Sequence, residues 1–221
     1  MTNIPARGQF ITFEGGEGSG KSTQCQILAA RLRKLGLNVV TTREPGGTPT
    51  AESLRAIILA GDVAPHGAIA EALCFCAARI DHLDTLIIPS LNAGIWVICD
   101  RFADSTRAYQ GAAGAVDLAI IDRLESVVVA QDKPNLTLML DLPVENGLAR
   151  ANKRRHPTEA PDRFESENLD FHLTLRKSFL EIASKNSDRC VVIDASKTPE
   201  NVSDSVWEAI ASNLIENPPA E

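Results

Sequence analysis

The chain has 221 residues, 44% of them hydrophobic and 23% charged, which is enough apolar material for a full core and, at this length, for one domain. Its formal net charge of −7 repels a nucleic-acid backbone, so no nucleic-acid partner is expected. An anionic substrate must instead be gripped by a few local cations, helix N-termini or a bound metal. The opening MTNIPARGQF lacks an apolar targeting region, and charges, Gly or Pro interrupt each later apolar run well short of the about 20 residues that span a membrane. A cytoplasmic protein with no membrane partner is the expectation. The five cysteines, Cys25, Cys74, Cys76, Cys99 and Cys190, fall in apolar or helical patterns without the paired spacing of a zinc site, which fits reduced core residues.

In chain order, a β-branched run over residues 10–14 predicts a first strand, followed by a glycine-rich stretch and a helix over 20–35. A second strand over 38–42 leads through TREPGGTP to helices over 50–60 and 67–91. The third strand, 95–100, precedes a loop and a helix over 115–130. Strand 136–141, helix 143–153, helix 166–186, strand 190–194 and helix 199–216 complete the pattern, with Pro199 after Thr198 and Pro143 after a strand end marking helix starts. Alternating strands and helices predict an α/β fold: a five-stranded parallel sheet covered by helices on both faces. Residues 152–166, NKRRHPTEAPDRFES, break the pattern with two prolines and a basic cluster, and read as a mobile lid rather than a linker. The last residues, 217–221, read as a frayed tail.

The strongest chemical signal is GGEGSGKS, residues 15–22, a G-x-x-x-x-G-K-[ST] phosphate loop set directly between a predicted strand and a predicted helix. Glycines 15, 18 and 20 let successive backbone N–H groups face a phosphate, and the following helix adds its positive dipole end. Lys21 is placed to span the β and γ phosphates of ATP, and the Ser22 hydroxyl to meet Mg²⁺. Gly15, Gly16, Glu17, Gly18, Ser19, Gly20, Lys21, Ser22 and Thr23 form the candidate ATP site. The loop alone serves ATPases, GTPase switches and small-molecule kinases alike. Asp100 ends the third strand, where a carboxylate reaches the metal shell or the acceptor, and Arg101 beside it can clamp a second phosphate. That favours a kinase with a phosphorylated acceptor. A GTPase switch needs a guanine-reading N-K-x-D segment, and Asn152-Lys153 continues as Arg-Arg.

The motifs FEGGEGSGKST, TREPGGTP, FCAAR (residues 75–79), DRFADSTRAYQG (residues 100–111) and, more weakly, DRFE (residues 162–165) together resemble the thymidylate kinases of the nucleoside monophosphate kinase group. The resemblance implies a single P-loop kinase domain over 1–221 with a lid at 150–166. It implies transfer of the ATP γ-phosphoryl group, with Mg²⁺, to dTMP on the route to dTTP, and a homodimer built on long helices such as 67–91. A kinase for another nucleoside or nucleotide is the near alternative.

Arg43, at the sheet's C-terminal edge, can meet the acceptor phosphate. Phe75 and Arg79 share a helix face, so the ring can stack on a base while the guanidinium donates to a 4-oxo group. Ser105 and Thr106 are placed at the base edge, the resemblance puts Tyr109 against the deoxyribose, and Gln110 completes the candidate dTMP set with Arg101. Glu17 stands where some relatives carry a basic residue, so the resemblance assigns the transition-state cation to the lid. Arg150, Arg154, Arg155 and Arg163 are then the catalytic candidates beside Lys21, Asp100 and Arg101. Ser22, Asp100 and Glu165 are the candidate metal residues, whereas Glu14 reads as structural.

Overall fold

The computed structural model describes residues 7–154 and 163–215. Five parallel strands, β1 (Phe10–Glu14), β2 (Val39–Arg43), β3 (Trp96–Asp100), β4 (Leu136–Asp141) and β5 (Cys190–Asp194), lie in the order β2-β3-β1-β4-β5. This is the predicted sheet, with strand ends moved by a residue at β2 and β3. Because β1 lies between β3 and β4, the chain leaving its C-terminal end enters the crevice where strand order reverses, the ligand site of open α/β sheets. All five β1 residues are buried.

Side chains alternate across the sheet. Ile11, Phe13 and Leu138 pack with Leu28 and Leu32 of α1 (Lys21–Lys34) and with Val206, Trp207 and Ile210 of α9 (Pro199–Leu214). On the opposite face, Met139 joins Leu175, Phe179 and Ile182 of α8 (Leu169–Lys185), while Phe10, Val97 and Cys99 meet Leu83, Ile87 and Leu91. Helix starts follow the sequence signals. Thr48 accepts from the Ala51 N–H ahead of α2 (Pro49–Ala60), Asn168 from Phe171 ahead of α8, and Thr198 from Asn201 ahead of α9.

Three features differ from the expectation. The predicted helix over 67–91 is α3 (Ala68–His82) and α4 (Ile88–Asn92) joined by a π-helical turn, Leu83–Ile87. Pro89 has no N–H for the Thr85 carbonyl, and the wider turn relieves its ring's clash with the preceding turn. The segment after β3, expected as a loop, is helical: α5 (Ala103–Thr106) runs into a π-helical stretch, Arg107–Ala113. Its start is held by Glu14, whose carboxylate accepts from the N–H groups of Phe102 (2.8 Å) and Ser105 (3.2 Å) and from the Ser105 hydroxyl (2.6 Å). A buried carboxylate from another strand does the capping, so local sequence carries no signal for it. Finally, the helix predicted over 115–130 is shorter, α6 (Leu118–Val128). Residues 155–162 of the predicted lid, Arg155 among them, and the 217–221 tail lie outside the described residues.

The phosphate loop and α7 (Val144–Arg154) meet backbone to backbone at Gly18 and Gly147. A Cβ on Gly18 (φ +65) would lie 2.1 Å from the Gly147 carbonyl oxygen, and one on Gly147 would lie 2.4 Å from the Glu17 carbonyl oxygen. Neither residue tolerates a side chain without displacing the other segment. Gly147→Ala is expected to cost ~1 to 3 kcal/mol of stability and to weaken ATP binding together with it. Thermal unfolding and calorimetric titration with ATP check this; an unchanged melting midpoint and an unchanged Kd would show that the loop has room.

Candidate active site

A cavity of about 290 Å³ opens at the C-terminal edge of the sheet, running from Gly18, Lys21 and Ser22 past Asp100 and Arg101 to Phe75, Arg79 and Gln110. At its phosphate-loop end, Lys21 Nζ donates to the carbonyl oxygens of Gly15 (3.1 Å) and Gly16 (2.8 Å). Burial, helped by Arg101, pulls its pKa down to about 8 against the opposing pull of Glu17, Asp100 and Glu14. The Ser22 hydroxyl is hydrogen-bonded to Asp100 Oδ2. These are hard oxygen donors in mutual contact, and among the described residues no three His, Cys, Asp or Glu cluster as a protein-built cage. That donor set fits Mg²⁺, which keeps several waters and takes further oxygens from bound phosphates. Glu165 lines the same cavity from the lid side.

The centre of the cavity is organised by Glu17, Arg101 and Tyr109. Arg101 Nη2 donates to Glu17 Oε1 at 2.6 Å, Nη1 donates to the Gly15 carbonyl at 3.0 Å and to Ser105 Oγ at 3.3 Å, and the guanidinium lies 5.0 Å from the Tyr109 ring centre. The Tyr109 hydroxyl donates to the same Glu17 oxygen at 2.6 Å. Burial alone would raise the Glu17 pKa, but Arg101 and Lys21 outweigh it and hold the carboxyl at about 2. Arg101 itself has φ +70, a left-handed conformation that costs an ordinary residue ~1 to 3 kcal/mol and turns its side chain back over the loop. Tyr109, read from the sequence as a loop residue, is instead helical and buried, edge-on to Phe164, Phe171 and Phe179.

At the far end, Phe75 lines the cavity and Arg79 is 3% exposed. Arg79 Nε donates to Glu44 Oε2 at 2.8 Å and Nη2 to Thr106 Oγ1 at 3.0 Å, with the guanidinium 5.1 Å from the Phe102 ring centre. Neither hydrogen bond uses Nη1. Burial disfavours the charge, yet Glu44 more than offsets it and the Arg79 pKa is raised. Glu44 is held in turn by His82 Nδ1 at 3.1 Å, and His82 Nε2 lies 2.7 Å from Thr42 Oγ1. Sequence reasoning reached Arg79 and Thr106 but not Glu44 or His82; the signal was the lone Glu inside TREPGGTP, facing a buried Arg. Arg43 sits at the rim, half exposed, and donates to both oxygens of Glu52 at 3.0 and 3.1 Å. Arg55, a cation the sequence reading passed over, lines the cavity and donates to the Pro45 carbonyl at 2.7 Å.

The two lid arginines whose side chains are described, Arg150 and Arg163, point to different places. Arg150 Nη1 donates to the Ala195 carbonyl at 3.0 Å, just past β5. Arg163 is not part of the cavity wall: its Nε meets Glu71 Oε1 at 2.6 Å, its Nη1 donates to Glu167 at 2.7 Å, and the neighbouring Phe164 and Glu165 line the cavity instead. The side chain of Arg154 and all of Arg155 lie outside the described residues.

Residues 13–206 match the thymidylate kinase family model. The chain is 56% identical over 215 residues to a thymidylate kinase of Rhodopseudomonas palustris, covering 97% of this chain and 93% of that one. It is 54% identical over 211 residues to a thymidylate kinase of a Bradyrhizobium species, covering 96% and 93%. The crystal structure of a thymidylate kinase from Ehrlichia chaffeensis superposes with a TM-score of 0.72 at 36% identity, over 92% of this chain and 98% of that one. With a phosphate loop at one end of its cavity and a buried arginine-lined recess at the other, the chain belongs to the thymidylate kinase family.

Proposed function

We propose that this protein transfers the γ-phosphoryl group of ATP to the phosphate of dTMP, acting as one P-loop nucleoside monophosphate kinase domain. The observation that carries this reading is a single cavity with Lys21 at one end, Phe75 and Arg79 at the other, and Arg101 between them. Phosphoryl transfer needs positioned charge more than covalent help from the protein. Lys21 meets the donor phosphates, Arg101 the acceptor phosphate, and Arg43 and Arg55 approach it from the β2 side. Mg²⁺, held by Ser22 and Asp100 with Glu165 nearby, supplies charge neutralisation of the phosphate oxygens when bound. Phe75 stacks on the base and Arg79 donates to its 4-oxo group, with Ser105, Thr106 and Gln110 along the edge. Glu17, fixed by Arg101 and Tyr109, marks the sugar's place between the two ends.

Lys21→Ala is expected to lower kcat by at least about 10²-fold while leaving the Kd for dTMP nearly unchanged, because the lysine serves only the donor. Steady-state rates and calorimetric titration with dTMP test this, and an equal loss of acceptor affinity would count against the two-ended layout.

The cation that meets the developing charge comes from the lid in this reading. Alanine at Arg150, Arg154 or Arg155 should cost about 10²- to 10³-fold in kcat at one or two positions, with KM little changed. Arg163→Ala, whose guanidinium is tied to Glu71 and Glu167, should have the smaller kcat effect. Near-normal kcat in the first three variants would leave the lid as a cover against water and nothing more.

The five thiols are free, which suits a reducing cytoplasm where nucleotide pools are held. No helix among the described residues is long and apolar enough to cross a membrane. A homodimer is supported by apolar side chains left exposed on α3 and α6: Ile69, Leu73 and Ile80 on one, Leu118, Ile120 and Val127 on the other. It is their grouping on two helices that touch each other, and not any one side chain, that marks an interaction surface. Light scattering at assay concentration should return twice the chain mass, and Val127→Glu with Leu73→Glu should halve it. A wild-type monomer would refute the dimer.

A further inference from the structure

Gln110 is 1% exposed and lines the cavity from the π-helical stretch that follows α5. Its Nε2 lies 3.5 Å from Glu71 Oε2, and its Oε1 is buried with no hydrogen-bond partner among the described residues. Glu71 is itself 2% exposed, one helical turn before Phe75 on the same face of α3. Its other oxygen forms an ion pair with Arg163, whose Nε lies 2.6 Å away. We infer that Glu71 is a positioning residue: it dictates which end of the Gln110 amide faces the acceptor cavity, and so which base edge the site accepts. This rests on the acceptor reading given above.

The argument is one of donors and acceptors. A carboxylate held by a guanidinium that stays charged in proteins can only accept from Gln110. Turned the other way, the amide would set its oxygen against the Glu71 oxygen at the same distance, two acceptors with no proton between them. The amide N–H therefore goes to Glu71, and Oε1 is left as a buried acceptor. An unpaired buried acceptor costs about 1 to 3 kcal/mol, which a ligand N–H relieves. Thymine offers N3–H as that donor beside a 4-oxo acceptor suited to Arg79. Cytosine offers an N3 lone pair to Oε1 and a 4-amino group to a guanidinium, so both contacts turn unfavourable. Arg163, by holding Glu71, extends the arrangement from the base edge to the foot of the lid. The device does not separate thymine from uracil, since both carry N3–H.

The test is a double-mutant cycle read as kcat/KM for dTMP against dCMP in the wild type, Glu71→Gln, Gln110→Ala and the double variant. A neutral glutamine at 71 can donate or accept, so the Gln110 amide loses its fixed direction. Glu71→Gln is expected to lower the dTMP-to-dCMP ratio on the order of 10- to 100-fold, chiefly through KM for dTMP, with kcat largely kept. Gln110→Ala should lower it similarly, and the double variant no further, because Glu71 acts only through Gln110. If Glu71→Gln fails to fold by thermal unfolding, Glu71→Asp enters the same cycle, since it keeps a charge for Arg163 while withdrawing it from Gln110. A ratio unchanged by either variant, or losses that multiply in the double variant, overturns the inference alone. A wild type with no preference for dTMP over dCMP overturns the acceptor reading and the inference with it.

Discussion

The part-buried contact between Arg101 and Glu17 ties together the parts on which the site depends. It joins the residue that ends the β3 turn to the phosphate loop, and Tyr109 of the following helical stretch shares the same carboxylate oxygen. Both ion-pair partners are about one-sixth exposed, so neither charge is well hydrated. Such a pair adds little net stability compared with apolar packing, but removing one partner strands the other, typically at about 3 to 5 kcal/mol. What it provides is geometry. Arg101 is kept in a left-handed backbone conformation, its guanidinium anchored by Gly15, Ser105 and Glu17, and is thereby aimed into the cavity before any ligand arrives.

The same logic resolves a tension in the charge. A chain of net charge −7 must bind two polyanions, and long-range attraction is of no help. The cavity instead concentrates Lys21, Arg43, Arg55, Arg79 and Arg101, each oriented by a neighbouring acceptor. Glu17 holds Arg101, Glu44 holds Arg79, Glu52 holds Arg43, and the Pro45 carbonyl holds Arg55. The carboxylates do not cancel the site; they fix forked cations in place, and phosphate oxygens compete for the donors that remain. Lys21, whose pKa burial and Arg101 pull down to about 8, gains in basicity when an anion comes near, so a bound phosphate holds its proton in place.

How far the sequence could be read follows from the range of each signal. Strand runs, the phosphate loop and the proline-marked helix starts are local, and their alternation makes the sheet parallel, whereas the strand order depends on contacts between elements. Lys21, Ser22, Asp100, Phe75 and Arg79 were legible because their spacing within an element sets their direction. What escaped depends on contacts between elements. The capping of the post-β3 helix comes from Glu14, 88 positions away from Phe102, so the segment looked like a loop, and only the resemblance gave Tyr109 a place in the site. Glu44 and Glu71 matter through Arg79, Arg163 and Gln110, partners that no local pattern pairs with them. Arg163 was grouped with the lid cations because it is basic and lies in the lid, yet a buried carboxylate on α3 draws it to the outside of the cavity.

One helix carries two demands at once. On α3, Glu71, Phe75, Ala78, Arg79 and His82 follow the helical repeat toward the cavity and the core, whereas Ile69, Leu73 and Ile80 follow it outward. An amphipathic helix ordinarily opposes an apolar stripe to a polar one, but here Glu71, Arg79 and His82 lie on the buried stripe beside Ala72, Cys76 and Ala78. Placing Glu71, Arg79 and His82 inside is tolerable because Arg163, Glu44 and Thr42 meet them. The apolar residues displaced to the outer face are the ones that the proposed dimer would cover. In that proposed arrangement the helix carrying Phe75 and Arg79 would be gripped from both sides, by its own fold within and by its partner without. A rigid reading face is what a selectivity based on single hydrogen bonds requires, since a shift of 1 Å is enough to lose one.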